Sequence, residues 1–422
     1  MSDKLLRIWL FCMVLAGTAV YGQSEAVPEA PLPHADSDLS SRLETPSRSI
    51  AQYEGVIKDL ELAYGAYHDE LSETLMGLGL AHYTQGNYAA AAGALQRSLH
   101  INRVNQGLHD PSQIPILQML IRTNRALQDW SSLDQNYSYL YWINRRTYGE
   151  KDTRLLEVIY EAAQWHLEAF QGKLDDVPFQ HIITAHSLFR KAVEIVEANS
   201  EPENPELITP LYASALTIYE MANFASTLFE GEQDNFGITN QADVSDVITE
   251  EQYPLYRLIG DTYREGKQLL ERVIAIHNAH PELPADGRAL AYIHLGDWYL
   301  LFNKRTLAVE TYRKAYSTAA SEDELPAIIG NLFSEPRSIP ALSLPSRQQD
   351  EQSQEENYVV ASFDVSATGR PVNIEIIESL PADDSSMRQQ AKRNIRSSRF
   401  RPRFENGQPV ATTNVNVRYV FR

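Results

Sequence analysis

Cysteine is nearly absent: Cys12 is the only one in 422 residues. Beyond that position the chain can form no disulfide, thiolate nucleophile or cysteine metal site, a make-up compatible with an oxidising compartment such as the periplasm. Positive charge is also scarce. The 37 Lys+Arg face 56 Asp+Glu, a net charge of -19, and a surface of that sign repels phosphate backbones, so nucleic acid is not an expected partner. Long apolar runs are missing too. The run from Ile8 to Tyr21 would extend only ~21 Å as a helix, short of the ~30 Å hydrocarbon core. Lys4 and Arg7 precede it and Val20-Tyr21-Gly22 closes it, so residues 1–22 read as a secretory signal, with an uncleaved inner-membrane anchor as the weaker reading. Catalytic signatures are lacking as well: there is no His-Glu-x-x-His, Walker loop or nucleophile elbow. His277 with His280, and His181 with His186, are read as histidine pairs without carboxylate ligands and are expected to mark helix surface rather than a metal site. The expectation is a protein that is no enzyme, with no catalytic residues, no cofactor, no metal and no small-molecule substrate.

What is present is enough to build more than one core. The chain exceeds the length one core organises, and 43% hydrophobic against 22% charged residues is an ordinary globular balance. Residues 23–48, rich in Pro, Ser, Ala and acids, read as a flexible leader, and regular structure should begin near Ser49. From there the punctuation repeats. Gly65, Gly107 and Gly149 lie 42 residues apart, each followed by Asp69, Asp110 or Asp152 at the start of a helix, and Leu78/Leu120 and Tyr88/Trp130 keep the same interval. Within a unit, Leu75, Leu78, Gly79 and His82 share the inner face of one helix, Gly86-Asn87 turns the chain, and Tyr88, Ala91, Leu95 and Ser98 line a second helix.

This pattern resembles the tetratricopeptide repeat. Tyr292, Leu295, Gly296, Tyr299, Ala308, Tyr312 and Ala315 occupy seven signature positions of that motif, and the 42-residue frame of the first units is similar to kinesin-light-chain-type arrays. Small residues at Gly296, Ala308 and Ala315 let helices approach closely while the aromatics fill the remaining gaps. The array is expected over residues 49–330, with Ala185, Phe189 and Ala192 in a second helix, Leu211 to Phe224 as a first helix, and Tyr256 to Ala279 resuming the period. Between Glu230 and Glu251 lie seven acids and no base, read as a solvated loop. Most of these apolar residues are core whatever the protein binds. Partner contacts are expected on the concave face, from His82, Tyr83, Asn124, Tyr299 and Asn303.

Residues 331–357, with Pro336, Pro340, Pro345 and a Gln, Glu and Ser run, read as a linker. The period then changes to two. Val359, Ala361, Phe363 and Val365 alternate, Thr368-Gly369 turns, and Val372, Ile374 and Ile376 alternate again. Asp384-Ser385 caps a helix with Met387, Ala391 and Ile395 on one face, and Val415, Val417, Tyr419 and Phe421 form a last strand after an Asn406-Gly407 turn. The order over 358–422 is β-β-α-β, so the fold class is mainly α: a helical-repeat solenoid followed by a small α+β domain.

Ala367-Thr368-Gly369-Arg370-Pro371-Val372, Ile376-Ile377-Glu378-Ser379, Arg399-Phe400-Arg401-Pro402 and Gly407-Gln408-Pro409-Val410 resemble the C-terminal domain of TonB-type energy transducers, with Ser398 where that family usually has tryptophan. The resemblance implies a periplasmic domain whose edge strand pairs with a segment of an outer-membrane transporter. By position that edge is the strand from Thr412 to Phe421, with Thr413, Asn414, Asn416, Arg418 and Val420 as its contact residues. The expected function is a periplasmic protein-protein adaptor of TonB-like type, associated with outer-membrane transport and using edge-strand pairing and a solenoid groove. The alternative is a periplasmic scaffold for envelope assembly without energy transduction. Arg388, Lys392, Arg393, Arg396, Arg399, Arg401 and Arg403 run without an intervening acid. They read as a solvated face plus the family's arginines, or more sharply as a patch that meets an acidic partner or the chain's own acidic array.

Overall fold

The computed structural model describes residues 49–230, 253–320, 327–339, 357–382 and 384–421. They fall in two compact units, one within Val27–Pro202 and one within Glu203–Arg422. The signal-like segment, the leader and nearly all of the acidic loop lie outside the described residues.

In the first unit, α1 (Ile50–Tyr64) begins where expected, because Ser49 and Gln52 cap it reciprocally: Gln52 N donates to Ser49 Oγ and Ser49 N to Gln52 Oε1. Three helix pairs follow: α2 (Glu70–Thr84) with α3 (Tyr88–Gln106), α4 (Ile114–Leu127) with α5 (Trp130–Tyr148), and α6 (Leu155–Gly172) with α7 (Pro178–Asn199). The 42-residue spacing has a backbone cause. Gly65, Gly107 and Gly149 end α1, α3 and α5 with φ of 90°, 91° and 97°, and each amide donates to the carbonyl four residues earlier. That left-handed region favours glycine. Inside the pairs, Gly86 and Gln128 turn with φ of 76° and 57° at the same interval. Leu95, Leu117, Leu120, Leu133, Leu140, Ile143 and Trp165 are buried in one continuous core between the helices.

The second unit opens with two more pairs, α8 (Ile208–Glu230) with α9 (Tyr253–Ala279) and α10 (Ala285–Leu301) with α11 (Arg305–Ala320). A Cβ on Gly296 would lie 2.4 Å from Tyr312, so the two signature residues pack only because one lacks a side chain. The chain continues through α12 (Ala327–Phe333), β1 (Arg337–Ile339), β2 (Asn357–Val365), β3 (Pro371–Leu380), α13 (Ser385–Ser397), β4 (Arg399–Arg401), β5 (Arg403–Glu405), β6 (Gln408–Val410) and β7 (Thr412–Phe421). The main sheet has the antiparallel order β3-β2-β7. Val359, Ala361, Phe363 and Val365 of the central strand are buried against Met387, Ala391 and Ile395 of α13 and against Phe400, as the alternation predicts. Asp384 caps α13 by accepting from the amides of Ser386 and Met387.

One expectation needs correction. The stretch 331–357 is not linker throughout: Leu332, Phe333 and Ile339 are buried, and β1 pairs antiparallel with β4. Residues 340–356 lie outside the described residues. Arg401, one of the arginines carried by the resemblance, meets the chain's own helical array. It is 7% exposed, and its Nη2 and Nε reach the two Asp297 carboxylate oxygens of α10 at 2.5 and 3.1 Å. Tyr312 donates to the same carboxylate at 2.6 Å, and Arg401 Nη1 reaches the Leu332 carbonyl at 3.4 Å. Burial alone would lower the guanidinium's proton affinity, but the Asp297 charge and hydrogen bonds outweigh it and raise the pKa. Tyr312, Tyr316, Phe333 and Phe404 form an aromatic cluster beside this ion pair, with Phe333 and Phe404 centroids 4.7 Å apart. The terminal sheet is therefore fastened to the last helix pair by a charge-paired arginine, an aromatic cluster and the β1–β4 ladder, which is why these parts form one unit.

Breaking a buried ion pair leaves one charge unpaired and costs about 3–5 kcal/mol, whereas replacing both partners by apolar groups of like volume is near neutral. Chemical denaturation of Arg401→Ala should show a loss of that size, and the double substitution Arg401→Met with Asp297→Leu should recover most of it. A second prediction concerns His277, buried at the end of α9 against Gly287. Burial, and then the Arg288 charge, push its pKa down to about 4. The unfolded chain binds that proton near pH ~6.5, so this histidine makes stability fall as pH drops from ~6.5 towards 4. The unfolding midpoint of His277→Leu should fall less steeply over that window than that of the parent chain.

Candidate protein-binding surfaces

Both outer strands of the three-stranded sheet offer an edge, but they differ. In β3 the register with β2 shifts twice: Val360 faces Glu378 while the next residue, Ala361, faces Ile376, and a second shift lies between Ser362 and Asp364. Ile377, skipped at the first shift, is left 61% exposed. Arg388 of α13 also ties down the end of β3 by donating to Ser379 Oγ at 2.8 Å and to the Ala382 carbonyl. Bulges and covering groups are the devices that blunt an edge. β7 has one irregularity, near its start, and then pairs with β2 without a break from Val415 to Phe421, seven residues with no proline. Among the described residues β7 pairs with β2 alone. One side of its backbone thus carries no strand among the described residues.

Thr413, Asn414, Asn416, Arg418 and Val420 are all exposed, while Val415, Val417, Tyr419 and Phe421 turn inward. Arg418 is engaged: its guanidinium sits 4.1 Å over the Tyr358 ring, and Tyr358 donates to Glu378 on the far strand, so a polar row crosses the outer face of the sheet. Asp364 organises the start of β7. Its carboxylate accepts from Asn373 Nδ2 at 2.7 Å and from the Asn414 amide at 3.0 Å, and these bonds hold its pKa below the usual range. Asn373 and Asn414 have φ of 52° and 57°, a region Asn tolerates better than most residues. One carboxylate in the central strand therefore fixes an irregular position in both neighbours. Ser398, where the resemblance expects tryptophan, caps α13 through Asn394 and hydrogen-bonds Tyr419 instead.

Of the helical residues expected to line a groove, His82 and Asn124 stand one 42-residue period apart, near the ends of α2 and α4. Tyr83 is half-buried and packs on Tyr88 at 5.4 Å. Asn124 does not project into solvent: it is 1% exposed and its Nδ2 has no hydrogen-bond partner among the described residues. It lies instead at the wall of a cleft of about 340 Å³ shared with Gln96, Arg103, Gln135, Asn136 and Tyr139. Tyr299 is likewise buried at 7% exposure, packed with Tyr263 beside a separate cleft that also has Glu271 and Lys314 in its lining. Asn303 serves the backbone: with φ of 59° it makes the turn between α10 and α11, and its Oδ1 accepts from Arg305. Of the five, His82, Tyr83 and Asn124 belong to the first unit and Tyr299 and Asn303 to the second; Asn124 and Tyr299 are buried because helical phase alone does not separate a groove position from a packed one.

The sequence reading missed a grouping in the first unit. His166 follows Asn124 by one more 42-residue period, and the α6–α7 pair brings it against His181, with Asp134 and Asp175 beside the two rings. The period carried to a third unit would have pointed to His166.

Removing the Asp364 staple should loosen the start of β7 without unfolding the helices. Asp364→Ala is expected to lower the exchange protection of Asn414 and its neighbours, and acidification below the usual carboxylate range should lower that protection in the parent chain too, once the slower intrinsic exchange in acid is divided out, because the ionised carboxylate is the stronger acceptor. Unchanged exchange would show that the irregular position does not need the carboxylate.

No curated protein matches the chain. Among solved structures, a putative kinesin light chain with nearly identical TPR-like repeats from Podosopora anserina is 16% identical, with TM-score 0.35, covering 61% of this chain and 99% of its own. A variant of that same protein is also 16% identical, with TM-score 0.34, covering 60% and 97%. Residues 348–422 match the model of the family described as Gram-negative bacterial TonB protein C-terminal. The chain is an array of helix pairs that ends, over residues 348–422, in a segment matching the TonB C-terminal family.

Proposed function

We propose that this is a non-catalytic periplasmic adaptor that binds a short extended segment of an outer-membrane transporter along β7, while its helical repeats bind other proteins. The observation that carries the reading is the unpaired side of β7, smooth from Val415 to Phe421. Backbone groups alternate in direction along a strand, so about half of these residues point theirs outward. At roughly 0.5–1.5 kcal/mol net for each hydrogen bond, several formed together supply a useful affinity that does not depend on side-chain identity. Specificity then falls to the exposed row of Asn416, Arg418 and Val420.

A second reading rests on the Arg401–Asp297 pair. A terminal domain fastened to its helical array suits a scaffold whose sheet only docks it in the envelope, without transmission of force. Mapping the mature N-terminus separates the two: an intact Met1 segment held in the inner membrane favours transduction, and a chain that starts near Gln23 favours the scaffold.

The binding test uses a synthetic peptide from the periplasm-facing segment of a TonB-dependent transporter. Amide exchange in the full chain should slow on β7 when the peptide binds. Of the neighbouring substitutions Asn416→Pro and Val417→Pro, one removes an amide directed at β2 and the other an amide directed outward. The outward one should leave the sheet folded and abolish binding. Protection confined to other segments, with both variants binding like the parent, would remove the edge as the site.

A further inference from the structure

Four side chains from three stretches of sequence meet where α5, α6 and α7 adjoin. His166 and His181 are both buried, with their Nδ1 atoms 2.8 Å apart. His181 Nε2 lies 2.7 Å from Asp175 Oδ2, and His166 Nε2 lies 3.6 Å from Asp134 Oδ1. Asp134 also accepts from Trp165 Nε1 at 3.3 Å, and the loop carboxylate of Asp175 is steadied by the Val177 amide at 3.0 Å. One donor atom from each of Asp134, His166 and His181 lies within 4.8 Å of the other two.

The positions of the hydrogens set what this group can do. A carboxylate only accepts, so His181 Nε2 carries the hydrogen towards Asp175, and the Nδ1 lone pair of the neutral ring faces His166. Two lone pairs do not meet at 2.8 Å, so the hydrogen between the rings belongs to His166 Nδ1. We propose that Asp134, His166 and His181 form a binding site for a divalent transition metal of zinc's class, with Asp175 holding His181 from behind. The ion takes the place of the hydrogen between the rings. That hydrogen moves to His166 Nε2, on the side of Asp134, and both Nδ1 lone pairs turn onto the ion.

Two imidazoles and a carboxylate are a donor set that zinc accepts, and a carboxylate behind a ligating histidine is the usual device for fixing its tautomer. Donors at about 2.0–2.1 Å from a tetrahedral ion stand roughly 3.4 Å apart, so the ring pair has to open by only about half an ångström. The Asp134 side chain is 41% exposed, which leaves a path for the ion and room for water as a fourth ligand.

The test is a titration of the chelator-stripped full chain with Zn²⁺, read by calorimetry and by thermal unfolding, and with Co²⁺ read by its visible absorption. The expected result is one ion per chain, a raised unfolding temperature and the strong d–d bands of four-coordinate cobalt. Asp175→Asn should weaken affinity about 10–100-fold through His181. Asp134→Asn, a change on a partly exposed side chain that leaves the core intact, should abolish the cobalt bands while the chain stays folded. Absence of saturable uptake, or uptake and bands unchanged in both Asp134→Asn and His181→Gln, overturns the site. So does a chain that takes up no metal and shows only a slowly exchanging imidazole proton by NMR.

Discussion

The geometry of the second unit depends on one buried charge pair. Arg401 sits on β4, a three-residue strand that also pairs with β1 and receives the Thr368-Gly369 turn of the main sheet. A Cβ on Gly369 would lie 1.8 Å from the Phe400 carbonyl, so the turn can press against β4 only as glycine. Through these contacts, whatever holds Arg401 also holds the sheet and sets the direction in which β7 faces. Asp297 holds it from a helix whose next-door residue, Gly296, makes room for Tyr312, and Tyr312 shares the same carboxylate. The packing code of the last repeat and the anchoring of the terminal domain are one set of atoms.

Much of this was legible in the sequence, for identifiable reasons. The alternation Val359, Ala361, Phe363, Val365 specified a buried central strand because period two has one structural solution. The glycines at 65, 107 and 149 marked helix ends because a positive φ selects for that residue. The Asn406-Gly407 turn, with φ of 48° and 76°, appears where expected between β5 and β6. What escaped depends on contacts distant in sequence. Arg401 stood in the Arg399-Phe400-Arg401-Pro402 motif and in a basic run expected to meet solvent or an acidic surface, but its partner, more than a hundred residues earlier, could not be named from local sequence. Pro336 and Pro340 suggested a linker, yet the residues between them form β1 because β4 offers an edge there. Asn124 and Tyr299 share a helix phase with groove residues, and their burial is set by neighbouring helices that periodicity does not see.

The helical array also shows how a repeat diversifies a single position. His82, Asn124 and His166 are equivalent by period. His82 Nδ1 and Asn124 Nδ2 are buried without hydrogen-bond partners among the described residues, whereas His166 has met a second histidine. A polar group at this phase is a recurrent feature of the array, and its chemistry in each unit is decided by what the following helix places opposite.

The Asp364 staple has a consequence for the last strand. Because the Asn414 amide is committed to that carboxylate and its backbone is left-handed, the straight part of β7 has a definite beginning at Val415. Uninterrupted pairing of β7 with the central strand thus spans the seven residues Val415–Phe421, and its starting point is set by a side chain of the strand it pairs with.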